Sequence, residues 1–210
     1  MRFADVDAVT VDAYGTLLVL DDPVGRLREA LAAHGVNRNR ADVERGFRAE
    51  VAYYAAHKQR AGDQTRLERL RERCAAVFLA EVAAELDPGA FVPAFVDSLV
   101  FELLPGAVAA LDGLAARALA LAVVANWDVS LREHLERHGL ASCFAAVVLS
   151  PEAGAEKPHP RPFQIALGAL GVQPERAVHV GDGDADELGA AAAGMRFVPA
   201  PLASAFTRWR

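Results

Sequence analysis

Ala8-Val9-Thr10-Val11-Asp12-Ala13-Tyr14-Gly15-Thr16-Leu17 is the stretch from which the fold is read. Ala8 to Val11 is a short, largely apolar run bounded by Asp7 and Asp12, the pattern of a buried strand. The run stops at Asp12, and Gly15 punctuates a turn immediately after it.

Downstream, no comparable strand is expected from about Pro23 to Leu104. Arg26 to His34 has helical spacing, with Leu27, Ala30 and Leu31 on one face, and Ala41–Ala61 and Thr65–Leu86 read as two longer amphipathic helices. Gly62-Asp63 and Pro88-Gly89 break the pattern, and Phe91 to Phe101 is expected as a fourth helix. After Leu104-Pro105-Gly106 the rhythm changes. Strands are expected at Leu119–Ala125, Ala145–Leu149, Ala177–Val180 and from Arg196 to Val198. Helices are expected at Ala107–Ala116, Ser130–His138, Pro162–Leu170 and Glu187–Ala193. Strands that alternate with helices imply crossover connections and a parallel sheet covered on both faces. The expected fold class is therefore α/β: a doubly wound parallel sheet, Rossmann-like, formed by residues 1–17 and 105–210, with an all-helical insert at residues 18–104.

Open parallel sheets bind ligands outside the carboxyl ends of their strands. The polar residues fall on that edge. Asp12 follows the first strand, Asn126 and Asp128 the second, Lys157 lies in the loop after the third, and Gly181-Asp182 follow the fourth. A carboxylate at such a position can attack phosphorus or an alkyl carbon and form a covalent intermediate. A Gly-containing turn offers it backbone donors, a lysine offsets its charge, and acidic residues on a neighbouring loop supply oxygen ligands for Mg²⁺. Taken one at a time, Asp12 is a turn-forming aspartate and Lys157 a solvated loop lysine. Four strand ends delivering polar groups to one rim make the functional reading the stronger one.

Asp12-Ala13-Tyr14-Gly15-Thr16-Leu17, then Asn126, then Lys157 in Glu156-Lys157-Pro158-His159-Pro160, then Gly181-Asp182-Gly183-Asp184-Ala185-Asp186 with Gly189 and Ala193-Gly194-Met195, occur in that order. The set resembles the four motifs of the haloacid dehalogenase-like (HAD) superfamily of hydrolases, over essentially the whole chain. The helical insert stands where that superfamily carries its C1 cap. The resemblance implies Asp12 as nucleophile and Lys157 as its charge partner, with Tyr14, Asn126 and Arg48 as substrate-binding residues. It implies a Mg²⁺ site at Asp12, the Tyr14 carbonyl, Asp182 and Asp186. Two positions depart from the pattern. Tyr14 replaces the second aspartate, usually the general acid/base, and Ala125 replaces the usual Ser or Thr of the second motif. Tyrosine at that position resembles the superfamily's 2-haloacid dehalogenases, whose halide leaving group needs no proton. The acidic run Asp182, Asp184, Asp186 and Glu187 favours the metal, because Lys157 alone cannot balance it. The expected activity is a Mg²⁺-dependent phosphatase of a small soluble phosphomonoester, through an aspartyl-phosphate on Asp12. A metal-independent 2-haloacid dehalogenase and a non-catalytic relative are the competing readings.

Composition sets the wider limits. The 210 residues are 53% hydrophobic and 24% charged, with a net charge of −6, which argues against nucleic-acid and anionic-membrane partners and leaves a small anionic substrate in a locally basic cleft. Asp5 and Asp7 interrupt the first apolar stretch, no apolar run reaches membrane-span length, and only Cys74 and Cys143 occur, so a cytoplasmic protein is expected. Arg38, Arg40, Arg45, Arg60, Arg66, Arg69, Arg71 and Arg73 interleave with Glu44, Glu50, Glu68 and Glu72, as on a salt-bridged solvent face. Arg48, beside Phe47, is singled out as a substrate-facing candidate. His179 is expected to be a satisfied buried histidine in a core strand.

Overall fold

The structure, a computed structural model, describes residues 3–206; residues 1–2 and 207–210, which the expected core segments include, lie outside the described residues. The chain forms two compact units, Met1–Val19 with Leu103–Arg210, and Leu20–Glu102.

The first unit begins with β1 (Ala8–Val11), and strand β2 (Leu18–Leu20) leads out of it. The insert then supplies α1 (Pro23–Ala33), α2 (Arg40–His57), α3 (Gln64–Glu81) and α4 (Pro88–Asp97), and β3 (Phe101–Leu103) leads back. The core resumes with α5 (Ala107–Ala115), β4 (Ala120–Ala125), α6 (Leu131–Arg137), β5 (Ala146–Leu149), α7 (Ser150–Ala153) and α8 (Arg161–Leu170). It closes with β6 (Ala177–Gly181), α9 (Asp184–Ala192), β7 (Arg196–Pro199) and α10 (Leu202–Ala205). The expected α/β class is what the structure shows: a five-stranded sheet of order β5-β4-β1-β6-β7, parallel at every pairing.

β1 occupies the middle, with Ala8 opposite both Ala120 and Ala177. All four of its residues are buried, as are all five of β6, because helices cover both faces. On one face Phe163, Ala166 and Leu167 of α8 and Ala190 of α9 pack against Ala8, Ala122, Val124 and Ala177. Alanine in the strands brings the helices close; Phe163 fills the remaining volume.

In the insert, each helix opens on a side-chain cap: Asp22 accepts from Gly25 N, Asn39 from Asp42 N, Asp63 from Arg66 N and Asp87 from Ala90 N. Phe78, Phe91 and Phe95 form its aromatic centre, with Phe78 and Phe95 rings 5.8 Å apart.

Three local expectations are corrected. α3 stops at Glu81 rather than continuing to Leu86: Ala83 turns left-handed (φ 52°), and the Arg38 guanidinium donates to the carbonyls of Val82 and Ala83, both at 2.6 Å. α4 starts at Pro88, not Phe91, because Asp87 caps it and Pro88 suits a first helical position. Phe101 belongs to β3, which pairs with β2, not to a helix. Strands of three residues are too short to show a period. Among the described residues, no helix is long and apolar enough to cross a membrane.

Candidate active site

Asp12 lies one residue past the end of β1 and continues its ladder, its N–H donating to Val180 O at 2.9 Å. Its side chain is therefore fixed at the carboxyl edge of the central strand. The chain then folds tightly, with the N–H groups of Leu17 and Leu18 both donating to Ala13 O and that of Gly15 to Leu18 O. Gly15 adopts φ +74°, and a Cβ built there would lie 1.9 Å from Asp182 Oδ2. Only glycine lets this loop meet the loop after β6. Within it, the Thr16 hydroxyl is buried without a hydrogen-bond partner among the described residues.

Lys157 is 5% exposed. Its ammonium donates to Asp12 Oδ1 at 2.5 Å, to Asp186 Oδ1 at 2.5 Å and to Val124 O at 2.9 Å, so all three of its protons are committed. The carboxamide of Asn126 clasps the lysine's main chain at two points: Nδ2 donates to Lys157 O at 3.0 Å, and Lys157 N donates to Oδ1 at 2.8 Å. Asn126 thus holds Lys157 in place, a partnership the sequence did not suggest.

Asp186 is 4% exposed, in the first turn of α9. Besides Lys157 it accepts from His179 Nε2 at 2.8 Å on the same Oδ1, and from Gly183 N at 3.3 Å on Oδ2. Gly181 is needed here as well, since a Cβ built on it would lie 2.3 Å from Asp186 Cγ. His179 Nδ1 lies 2.8 Å from the Thr10 hydroxyl. The histidine is indeed buried and satisfied. The polar Thr10 and His179 face each other across two otherwise apolar strands, and one polar residue in each such strand is the sequence signal that could have paired them.

The electrostatics follow from burial. For Asp12, loss of solvent raises its carboxyl to about 6; Lys157 pulls it back, and the Asp186 charge pushes it up. For Asp186, burial would also raise it, but the hydrogen bond from His179 and the Lys157 charge outweigh that and hold it at about 2. Complete burial pushes His179 down to about 4, so the ring is neutral near pH 7. Asp182 is raised by partial burial and by Asp186.

Asp12, Asp182 and Asp186 each offer an oxygen, all within 4.8 Å of one another. Of the five acidic residues expected around one cation, these three lie together. Asp184 and Glu187 are exposed on α9, which turns them away from buried Asp186. Asp128 is buried and accepts from Ser130 N at 2.8 Å. Tyr14 is 48% exposed, with its ring 6.5 Å from that of Trp127. In the insert, the Arg48 side chain is 67% exposed and pairs with Glu44 at 3.0 Å, one turn away on α2. Phe47 beside it is half-buried.

The fold and the rim of its sheet define the class: a doubly wound α/β enzyme with a helical insertion after its first core strand. A family model for haloacid dehalogenase-like hydrolases matches residues 6–194, and the chain belongs to that family. The haloacid dehalogenase-like hydrolase domain-containing protein 3 of Mus musculus is 33% identical over 197 residues, covering 89% of this chain and 78% of that protein. A phosphoserine phosphatase of Thermus thermophilus is 46% identical over 100 residues, 47% of this chain. That match spans 40% of the phosphatase's own length. Among solved structures, the HAD hydrolase YfnB of Bacillus subtilis, bound to magnesium, shares the fold with a TM-score of 0.70 at 21% identity, over 94% of this chain and 88% of that one.

Proposed function

We propose that this hydrolase is a Mg²⁺-dependent phosphomonoesterase acting on a small soluble anionic ester through an aspartyl-phosphate on Asp12. One observation carries the reading: three carboxylates converge within 4.8 Å, and the one lysine among them has no proton left to offer. Asp182 has no salt-bridge partner among the described residues, and its carboxyl is raised by partial burial and by the neighbouring charge. Such a cluster fits a small hard cation with oxygen ligands. Asp12, Asp182, the main-chain carbonyl of Tyr14 and Asp186 through Oδ2 are the groups that would hold it. Bound there, Mg²⁺ would supply charge to the phosphoryl oxygens. Similarity to a named phosphatase supports the same reaction class.

The chain's own residues account for the rest. A carboxyl oxygen of Asp12 attacks phosphorus, the bond from phosphorus to the ester oxygen breaks, and the alcohol leaves as an alkoxide that takes its proton from solvent. Water then attacks phosphorus, the bond to Asp12 breaks, and inorganic phosphate departs with the carboxylate regenerated. Lys157 keeps Asp12 anionic at neutral pH and offsets charge that builds on the transferring group. Tyr14 brings no carboxyl to the position where the family carries one and forms, with Trp127, an aromatic pair at the loop after β1. Within the helical insert, Arg48 is the residue proposed to bind the anionic substrate. Arg48→Ala should raise KM for the true anionic substrate severalfold more than for a small generic phosphate ester; equal effects on both would assign Arg48 to the solvent face with Glu44.

The direct test is a phosphomonoester panel assayed with Mg²⁺ and with chelator, with a 2-chloro acid included. Phosphate release that chelator abolishes is the expected result. Tyr14, standing where the family carries an acid, favours a second reading, a dehalogenase. Chelator-insensitive chloride release would establish that reading and end the first.

A further inference from the structure

The mechanism above uses Asp12, Lys157 and the acidic pair after β6. It leaves unexplained why the fully buried centre of the sheet carries two polar side chains, Thr10 in β1 and His179 in β6. A threonine and a histidine facing each other inside a hydrophobic sheet cost desolvation unless each finds a partner. They find each other at 2.8 Å, and the far side of the imidazole finds Asp186 at 2.8 Å. We propose that Thr10 and His179 are positioning residues: a fixed hydrogen-bonded chain from the Thr10 hydroxyl through the His179 ring orients the Asp186 carboxylate, setting which of its oxygens faces Lys157 and which is left for a cation. The cation part rests on the phosphatase reading; the chain itself does not.

The donor count fixes the direction of the chain. Asp186 Oδ1 already accepts from the Lys157 ammonium, so it meets His179 as an acceptor, and Nε2 must carry the ring proton. A neutral ring then leaves Nδ1 as an acceptor, and the Thr10 hydroxyl donates to it. With donors from Lys157 and His179, Oδ1 has both lone pairs engaged. Oδ2 receives only the 3.3 Å contact from Gly183 N and remains the freer oxygen. Aromatic rings flank the imidazole: Phe163 packs against it edge to face, with centroids 4.9 Å apart and planes at 89°, and Phe197 lies 6.4 Å away. Thr10 is two residues before Asp12, which continues the β1 ladder one residue past the strand's end, so the alternation of side chains puts the anchor of the chain and the nucleophile on the same side of the sheet.

Partners behind a ligand or catalytic carboxylate typically change metal affinity by about 10–100-fold. Thr10→Val keeps the shape of the side chain and removes the hydroxyl; Thr10→Ser keeps the hydroxyl. Mg²⁺ dissociation constants measured by calorimetry on the folded proteins should show Thr10→Val weakened by about tenfold and Thr10→Ser restored to near wild type. kcat at saturating Mg²⁺ should fall much less than affinity. A merely structural role for Thr10 would lower the melting temperature and leave the dissociation constant alone. The ring is read separately by long-range proton–nitrogen correlation of labelled histidine, which needs neither metal nor turnover. His179 should show a protonated Nε2 and an unprotonated Nδ1 across neutral pH. A protonated Nδ1, or equal Mg²⁺ affinity in wild type and Thr10→Val, overturns the proposal. Wild-type protein that binds no Mg²⁺ overturns the metal-dependent reading of function instead, and the observed tautomer then decides the chain on its own.

Discussion

At the residue scale, the site is a problem of unequal charge. One ammonium faces two buried carboxylates and a third nearby, and the two nearest part company: burial lifts Asp12 to about 6, while the hydrogen bond from His179 and the Lys157 charge outweigh burial at Asp186 and hold it well below the ordinary range. Asp12 is thus ionised at neutral pH but poorly solvated, a state that suits the nucleophilic role proposed for it. Asp12→Asn removes the charge with little change of shape and should cut turnover by at least about 10³-fold while circular dichroism stays native. Substantial activity in protein free of deamidation would end the covalent mechanism. Tyr14→Asp places a carboxyl where the family carries its acid. General acid help is worth about 10²–10⁴-fold, so turnover of an alkyl phosphate should rise by about tenfold or more, with little gain for an activated aryl phosphate. An unchanged alkyl-to-aryl ratio would show that Tyr14 does not stand at the leaving group. Asp12, Lys157, Asp182 and Asp186 were legible in the sequence because each follows a strand end, where chain order alone predicts convergence. The clasp of Asn126 on Lys157 was not, because the facing of a carboxamide is decided by which loop lands beside it. His179 was read correctly as satisfied, but its partners were not assigned, since Thr10 meets it through strand register and Asp186 through the placement of α9 after β6.

At the element scale, the most consequential pairing is in the helical insert. Glu50 of α2 is 4% exposed, and its hydrogen-bond partner is Cys74 of α3. Burial pushes its carboxyl from 4.5 up to about 7, the thiol hydrogen bond only partly opposing this. The folded state therefore holds a proton that the unfolded chain gives up. The stability it confers is complete below about pH 4.5 and is lost as pH rises to about 7. At about 1.4 kcal/mol per pKa unit, a rise from 4.5 to about 7 corresponds to at most about 3.5 kcal/mol. Glu50→Gln is neutral throughout, so its advantage over wild type in urea denaturation should grow by about 2–3 kcal/mol between about pH 5 and pH 8. Parallel pH profiles for the two proteins would mean that Glu50 reaches solvent. Sequence periodicity found the helices of the insert but placed Glu50 among the solvent-facing charges, because one buried position in a helix of mixed polarity leaves no period to read. The helix boundaries were hidden for a related reason. Arg38, far upstream, satisfies the carbonyls after α3, and no local pattern reports that.

At the scale of the whole molecule, the acidic rim should couple ligand binding to stability. A cation that binds the native chain alone stabilises it by about 2.7 kcal/mol at a hundredfold excess over its dissociation constant. In a chain of this size that should raise the melting temperature by roughly 5–10 °C. Asp182→Asn should remove most of the shift, while Asp184→Asn, outside the cluster, should leave it intact; no shift with millimolar Mg²⁺ in wild-type protein would count against the metal. The parallel sheet was legible because strand and helix patterns alternate after residue 105, whereas the pairing of β2 with β3 rests on six residues with no pattern of their own. The central place of β1 also bears on how the chain is made. Thr10 is separated by 169 residues from His179, and Asp12 by 145 from Lys157. During synthesis the first core strand emerges long before either neighbour, while the contacts of the insert close locally. Loop closure of that length delays a strand's pairing, and an unpaired apolar segment is prone to association in the interval. The contacts that gather Asp12, Lys157 and Asp186 are therefore among the last a nascent chain can complete, and a ribosome stalled before β6 would carry Asp12 with neither Lys157's partner Asp186 nor His179 yet made.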